Sequence, residues 1–342
     1  MSLKNLSAKT KIPKLLKEKL NNRRIKQIYR KFERSLKIDG NFLVAVSGGP
    51  DSLALAFLSR LYSVIHHKDA KFFIIDHKLR PESTAEANNV KKILKKNLIY
   101  SKILTLEGKK PTKNVQALAR KRRYELLFSM CKKFKINNIL LGHHQDDLFE
   151  NFFIRMSRGS GLKGLISFNK ISKLKNINLI RPLLDHKKED LIFISKNVFN
   201  FYVKDPSNED MKFQRIKIRN LINNLEKEGL TKSKFLMTIR NLQNSDNVIS
   251  FYVDENFKRN VLIQSKKNKL VLKKNFFQQP YEVVFRSLSD SLRFIGKNYY
   301  SVRGKKLDRI INKIEQNRSF KATLGGCIIE KMNQTLIISK EH

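Results

Sequence analysis

The chain has 342 residues, 41% of them hydrophobic, enough for two domains with cores of their own. Seventy-one lysines and arginines stand against 30 acids, a net charge of +41, which argues against an enzyme acting on small molecules alone and favours a polyanionic partner, nucleic acid first. No run approaches the roughly 18 consecutive apolar residues of a membrane helix; no secretory pattern is read after the first methionine, and Cys131 and Cys327 form no C-x-x-C pair, so a reducing, cytoplasmic setting is the simplest reading. A genome poor in G and C would produce part of the same lysine, asparagine and isoleucine excess.

The first 40 residues carry 13 bases and 3 acids, and the apolar spacing over 14–35 predicts one amphipathic helix. "FLVAV" predicts a strand running into the turn "SGGPDS", and "SLALAFLSRLYSVIHH" a helix after it. "KFFIID" and "SKILTL" read as strands two and three, with "STAEANNVKKILKKN" a helix between them. A long helix, "NVQALARKRRYELLFSMCKKF", precedes strand four, "NNILLG", and "QDDLFENFFIRM" is a helix beyond it. Strands alternating with helices predict an α/β fold with a doubly wound, mostly parallel sheet, whose ligands sit at the carboxyl ends of the strands. Past residue 200 the rhythm changes. "DPSNED" reads as a linker, 213–230 and 231–256 as helices, "NVLIQ" and "KLVLKK" as a hairpin, 281–295 and 303–317 as helices, and "FKATLGGCIIEKMNQTLIIS" as a terminal meander. The expected organisation is a basic helical segment at 1–40 packed on the first domain, a doubly wound domain at 41–215, and a smaller α+β domain at 216–342.

Chemistry concentrates at the ends of the predicted strands. In the turn Ser47–Ser52, Gly48 and Gly49 permit backbone conformations closed to other residues, so that successive N–H groups form a nest beside a helix N-terminus. Ser47 and Ser52 add hydroxyl donors. The turn is neither a Walker A loop nor G-x-G-x-x-G. Its alternative is a plain glycine-rich connection with a capping serine. Asp51 would repel a bare phosphate, whereas a nucleoside triphosphate with Mg²⁺ accounts for it, because Mg²⁺ takes one or two carboxylates plus substrate phosphates. Asp76 and His77 close strand two and would face the same crevice, or form a solvated turn. In "GHHQDDLFEN", His143 and Asp147 are four apart and Asp147 and Glu150 three apart, spacings that share a helix face. Such an acidic pocket receives an amine or a metal ion; a hydrogen-bonded helix start is the alternative. Arg120 and Arg123 share a face of the long helix and suit phosphates or an oxyanion, or simply line a solvated face. "RMSRGSGLKGL" is a flexible basic loop in which Arg155, Arg158 and Lys163 suit a nucleic-acid backbone, or a plain linker.

Taken in order, "SGGPDS", "DHKLRPES", "ALARKRRYELL", "GHHQDDLFEN", "RGSGLKGL", "RPLL" and "DPSN" resemble the tRNA(Ile)-lysidine synthases, members of the N-type ATP pyrophosphatase (PP-loop) superfamily. The resemblance is dense over about 41–220 and diffuse beyond, where "LGGCIIEK" is similar to the end of the family's small tRNA-contacting domain. It implies an adenine nucleotide alpha hydrolase-like fold and an enzyme that ligates free L-lysine to the wobble cytidine of a CAU-anticodon tRNA(Ile), through an adenylated tRNA, with release of pyrophosphate and AMP. It implies ATP and Mg²⁺ as cofactors, with Ser47, Gly48, Gly49, Pro50, Asp51, Ser52, Asp76 and His77 at the nucleotide and Asp51 at the metal. It implies Arg120 or Arg123 at the departing pyrophosphate, Asp147 and Glu150 at the lysine, and His143 orienting Asp147 or touching the nucleotide. The family pattern F-x-R-N-R-I-R meets "FQRIKIR" here, keeping Arg215 and Arg219 for tRNA while Ile216 and Lys217 depart; Lys78 and Asn151 depart likewise, where glycine and threonine are usual. Family members often dimerise, so the resemblance admits a homodimer, and longer members carry a further C-terminal domain. Two other readings remain: a PP-loop tRNA thiolase, and a non-catalytic RNA-binding protein.

Overall fold

The computed structural model describes residues 12–36, 38–78, 81–106, 115–174, 176–203, 214–264, 268–297, 302 and 304–341. The linker "DPSNED" and Arg80 lie outside the described residues. The chain divides into two units, Met1–Thr231 and Lys232–His342.

In the first unit, α1 (Lys14–Asn21) and α2 (Arg23–Ser35) stand where one helix is expected from the apolar spacing. The break is local. Asn22 leaves helical geometry at ψ 118°, and its side chain accepts the N–H groups of Arg24 and Ile25, capping a new helix. The apolar stripe continues across the break. Leu16, Ile25, Tyr29 and Phe32 are almost fully buried in the same core as Leu53, Phe57 and Leu61 of α3 (Pro50–Ile65), and each such side chain contributes about 1.5–3 kcal/mol.

The sheet contains β1 (Phe42–Val46), β2 (Ala70–Asp76), β3 (Ser101–Thr105), β4 (Asn138–Leu140), β5 (Ile171–Leu174) and β6 (Ile177–Ile180), in the order β3-β2-β1-β4-β6-β5. All pairs are parallel except β5 with β6. α4 (Ser83–Lys96) and α5 (Val115–Phe134) link the strands, and β4 feeds α6 (Gln145–Met156), followed by the single turn α7 (Leu162–Leu165). After β6 come α8 (Lys188–Ile194), a π-helical turn (Ser195–Phe199) and α9 (Gln214–Lys227). β1 is largely interior, with Phe42, Leu43 and Val44 at 0% exposure and Ala45 partly buried, as expected of a central parallel strand. Strand order reverses at β1, which lies between β2 and β4, and the carboxyl ends of β1 and β4 therefore open on the crevice where doubly wound sheets take their ligands.

The second unit has α10 (Lys232–Asn260), β7 (Val261–Gln264), β8 (Lys269–Leu272), α11 (Tyr281–Gly296), α12 (Gly304–Gln316), β9 (Ser319–Leu324), β10 (Cys327–Met332) and β11 (Thr335–Lys340). Its sheet is antiparallel in the order β7-β8-β11-β10-β9, with a core that includes Leu270, Leu288, Ile311, Ile329 and Ile338. The buried Arg286 of α11 pairs with Asp246 through Nη1 and with Glu282 through Nε. Among the described residues, no helix is long and apolar enough to cross a membrane.

Candidate functional site

The turn after β1 is held by its own serines. Ser52 Oγ donates to the Gly49 carbonyl at 3.0 Å and accepts from the Ser47 N–H and Ser47 Oγ, both at 3.1 Å. Gly48 takes φ +88°, and its carbonyl accepts the Val203 N–H at 3.0 Å. Gly49 caps α3, Pro50 opens it, and Asp51 sits in its first turn. From the neighbouring strand end, Gly142 comes so near that a Cβ on it would lie 3.2 Å from the Ser52 backbone. The turns after β1 and β4 are thus brought together by the absence of a side chain.

Asp51 is the hinge of the arrangement. Its carboxylate is paired with Lys188 Nζ at 2.6 and 2.9 Å, and its Oδ2 lies 3.7 Å from His144 Nε2. His144 is the N-cap of α6. Its Nδ1 accepts the Asp146 N–H at 3.2 Å, which places the ring proton on Nε2, facing both Asp51 and Asp147 at 3.7 Å. Asp147 returns the cap, its Oδ2 accepting the His144 N–H at 2.9 Å. Burial pushes the Asp147 carboxyl up, but His144, His143 and the His144 N–H outweigh it and hold it below the usual carboxylate range. One turn on, Glu150 is 2% exposed, and burial raises it against the pull of Arg219, whose Nε donates to Oε1 at 2.5 Å. Glu150 Oε2 is buried with no hydrogen-bond partner among the described residues. Asp51 and Asp147 are thus linked through a single imidazole, and Glu150 lies near enough to Asp147 for that charge to raise its carboxyl further.

Arginines face these acids. Burial, together with Arg181, Arg120 and Arg123, keeps His143 well below its ordinary pKa, so it is neutral at pH 7; its ring sits edge-on to Phe168 at 5.2 Å. Burial and Arg123 also lower His77. The guanidinium groups of Arg120 and Arg123 each lie 5.6 Å from the Tyr124 ring, and Arg123 is itself lowered by burial and by Arg120 and Arg215. Buried Arg181, from "RPLL", donates to the Asn169 carbonyl and Ser172 Oγ at 2.9 Å. Asp76 is fully engaged in its own loop, accepting from Lys78 N–H, Ser83 Oγ and Thr84 Oγ1 at 2.6–3.0 Å. Burial opposes its ionisation, yet these bonds lower its pKa. Arg158 lies beside α9, donating to Gln214 at 3.4 Å, while Lys163 and Arg215 are exposed and Arg155 is half-buried. Arg219, expected at the tRNA surface from its motif, has a side chain 41% exposed and pairs with Glu150. Lys188 and His144 carry no sequence signal that singles them out: a histidine N-cap is unusual, and Lys188, the first residue of α8, is one of many lysines in the chain.

The PP-loop domain family matches residues 17–226. Curated tRNA(Ile)-lysidine synthases align along most of the chain. The Orientia tsutsugamushi protein is 37% identical over 310 residues, covering 87% of this chain and 69% of its own. The chain belongs to the tRNA(Ile)-lysidine synthase family. The lysidine synthase of Wolbachia pipientis is 32% identical over 87% of this chain and 70% of its own, and that of Rickettsia akari 30% identical over 92% and 74%. Among solved structures, a U34-tRNA thiolase from Methanococcus maripaludis superimposes with a TM-score of 0.54 at 18% identity, over 65% of this chain and 78% of that one; the likeness is one of fold. The departures from the lysidine synthase pattern at Lys78 and Asn151 fall on the loop and helix just described, and Lys78 takes a left-handed φ of 48° where the family's glycine would rest without strain.

Proposed function

We propose that this chain performs the reaction of its family, joining lysine to the wobble cytidine of a CAU-anticodon tRNA(Ile) at the expense of ATP. The single observation that carries the site assignment is the link Asp51–His144–Asp147 across the β1/β4 crevice, with successive separations of 3.7 Å. It supports a nucleotide turn and an amine pocket within reach of one reacting carbon.

In the first step the cytidine ring oxygen attacks the α-phosphorus of ATP and pyrophosphate leaves. The nest at 47–52 and the amino end of α3 bind the phosphates. Asp51 fits Mg²⁺ by its hard oxygen donors and by the cation it already accepts, the Lys188 ammonium. Mg²⁺ supplies charge neutralisation at the phosphates. Arg120 and Arg123 are suited to the same task from α5. In the second step the ε-amine of lysine attacks the activated ring carbon and AMP leaves. The amine arrives as an ammonium, so it needs both an anion to bind it and a base to take its proton. Asp147, held ionised, suits the first role; Glu150, raised by burial, suits the second. His143, neutral and buried, is suited to a hydrogen bond with the nucleotide or with Asp147 rather than to binding phosphate. Arg155, Arg158, Lys163 and Arg215 offer cations to the tRNA backbone.

The thiolase reading finds no support in the cysteines. Both are buried, Cys131 pushed up to about 12 and Cys327 to about 11, so neither offers a thiolate at neutral pH. The test is one incubation with ATP, Mg²⁺, labelled lysine and unmodified CAU-anticodon tRNA, followed by nucleoside analysis. Label in the wobble nucleoside is the expected result; tRNA bound without covalent change would refute the proposal.

A further inference from the structure

Glu150 is an unusual acceptor. It is 2% exposed, yet only one of its oxygens is satisfied. A buried carboxylate is costly unless paired and hydrogen-bonded on both oxygens. Arg219 Nε meets Oε1 at 2.5 Å; Oε2 has no donor among the described residues. The empty acceptor therefore calls for an N–H donor carrying positive charge. The arginine is in turn held firmly by its helix, since α9 buries Ile216 and Ile218 and packs on α6. Its neighbour Arg215, one turn earlier and exposed, acts on Glu150 through space, the least of the influences on that carboxyl.

We infer that Arg219 is a positioning residue of the lysine subsite: it locks Glu150 Oε1 and leaves Oε2 presented to the incoming ε-amino group. The inference rests on the family reaction proposed above. It gives Arg219, whose side chain is 41% exposed, a task at the carboxylate that Arg215 of the same "FQRIKIR" segment shares only through space. A guanidinium suits this better than an ammonium on a flexible stem, because its planar fork fixes the carboxylate in one orientation. An arginine that met only phosphate would instead affect tRNA affinity uniformly and carry part of its salt dependence.

The experiment is a double-mutant cycle on the full chain, using Arg219→Gln, Arg219→Lys, Glu150→Gln and the double variant Arg219→Gln/Glu150→Gln. Four quantities are read: lysine KM, kcat, ATP-dependent pyrophosphate release with tRNA present, and tRNA affinity against salt. Arg219→Gln is expected to raise lysine KM by about 10–100-fold, the range for a lost charged hydrogen bond. Pyrophosphate release and tRNA affinity stay within about twofold, and Arg219→Lys recovers part of the lysine KM. In the Glu150→Gln background, Arg219→Gln adds no more than about a further twofold. The inference is overturned if Arg219→Gln weakens tRNA binding and lowers the salt slope by about 1 while lysine KM stays put. It is equally overturned if its effect on KM adds in full to that of Glu150→Gln. Unmutated protein that transfers no lysine at all refutes the family reaction itself; transfer by the unmutated protein with Arg219→Gln indifferent refutes only the role of Arg219.

Discussion

Replacing Gly48 by alanine tests the nucleotide turn most directly. Gly48 stands at φ +88°, and a Cβ there would come within 2.7 Å of Val90 Cγ2 and 3.0 Å of Val203 Cγ2. The left-handed conformation costs a residue with a Cβ about 1–2 kcal/mol. Forcing a methyl into occupied space adds about 1–3 kcal/mol, so Gly48→Ala should lose about 2–5 kcal/mol. For a unit of this size that lowers Tm by about 5–15 °C. Gly49 is the internal control. Its φ is −68°, and a Cβ there would meet only Ser47 Oγ at 3.9 Å, so Gly49→Ala should lose about 1 kcal/mol or less. Thermal unfolding of the two variants, followed by circular dichroism, measures the difference. Val90→Ala placed in the Gly48→Ala background should be less harmful than Val90→Ala alone, because the clash and the cavity offset each other. Equal Tm losses at the two glycines, or strict additivity with Val90→Ala, would show that the turn is not packed as described.

Two other outcomes follow from the site. Asp51→Ala should cut ATP-dependent pyrophosphate release by at least about 100-fold while tRNA affinity changes by no more than about twofold; a matched loss of both would contradict its place at the triphosphate. His186 is fully buried and, through burial above all and then Lys31, is lowered to about 4, with Asp185, Asp190 and the Ile28 carbonyl pulling the other way. Its folded value lies below the unfolded value of about 6.5, so the unfolded chain takes up the proton first and stability falls as pH drops from about 6.5 to about 4, by about 3 kcal/mol in all. Denaturation curves from pH 8 to pH 4 should fall less steeply in His186→Gln than in the unmutated protein, both keeping the limb that the lowered His143 and His77 contribute; parallel profiles would refute the assignment.

Much of this architecture was legible from periodicity and turn chemistry, because both are local. The alternation from "FLVAV" to "QDDLFENFFIRM" placed β1 to β4 and the helices between them, and the switch-point rule then put the turns after β1 and β4 in one crevice. The two-helix start was not legible, since the apolar stripe crosses Asn22 without interruption and only the cap reveals the break. The hairpin of β5 and β6 escaped as well: "ISKL" and "INLI" are four residues each, too short for a period to register. Within the site, the spacing of Asp147 and Glu150 held on α6, but His143, expected on the same helix face, precedes the N-cap, and the spacing passed over that cap, His144, whose importance comes from a contact with Asp51, 93 positions away in sequence. Lys188 and the inward turn of Arg219 are of the same kind. Each is a partnership across elements, and no local pattern encodes which of 71 cationic side chains will meet which acid.

Those partnerships also explain how a protein of net charge +41 keeps an acidic pocket. A surface that attracts phosphate over many Å would flood an unguarded cluster of carboxylates with its own lysines, and desolvation would drive the buried ones neutral. Here each acid has a fixed internal partner: Asp51 has Lys188, Asp147 has the His144 N–H, and Glu150 has Arg219. Assigned partners of defined geometry leave particular oxygens, Glu150 Oε2 among them, free to select a ligand by position as well as by charge. Under the proposed function, such a pocket would discriminate a free amine delivered to the reacting carbon from the chain's own abundant ammonium groups, so that long-range attraction for tRNA would not compete with short-range recognition of lysine.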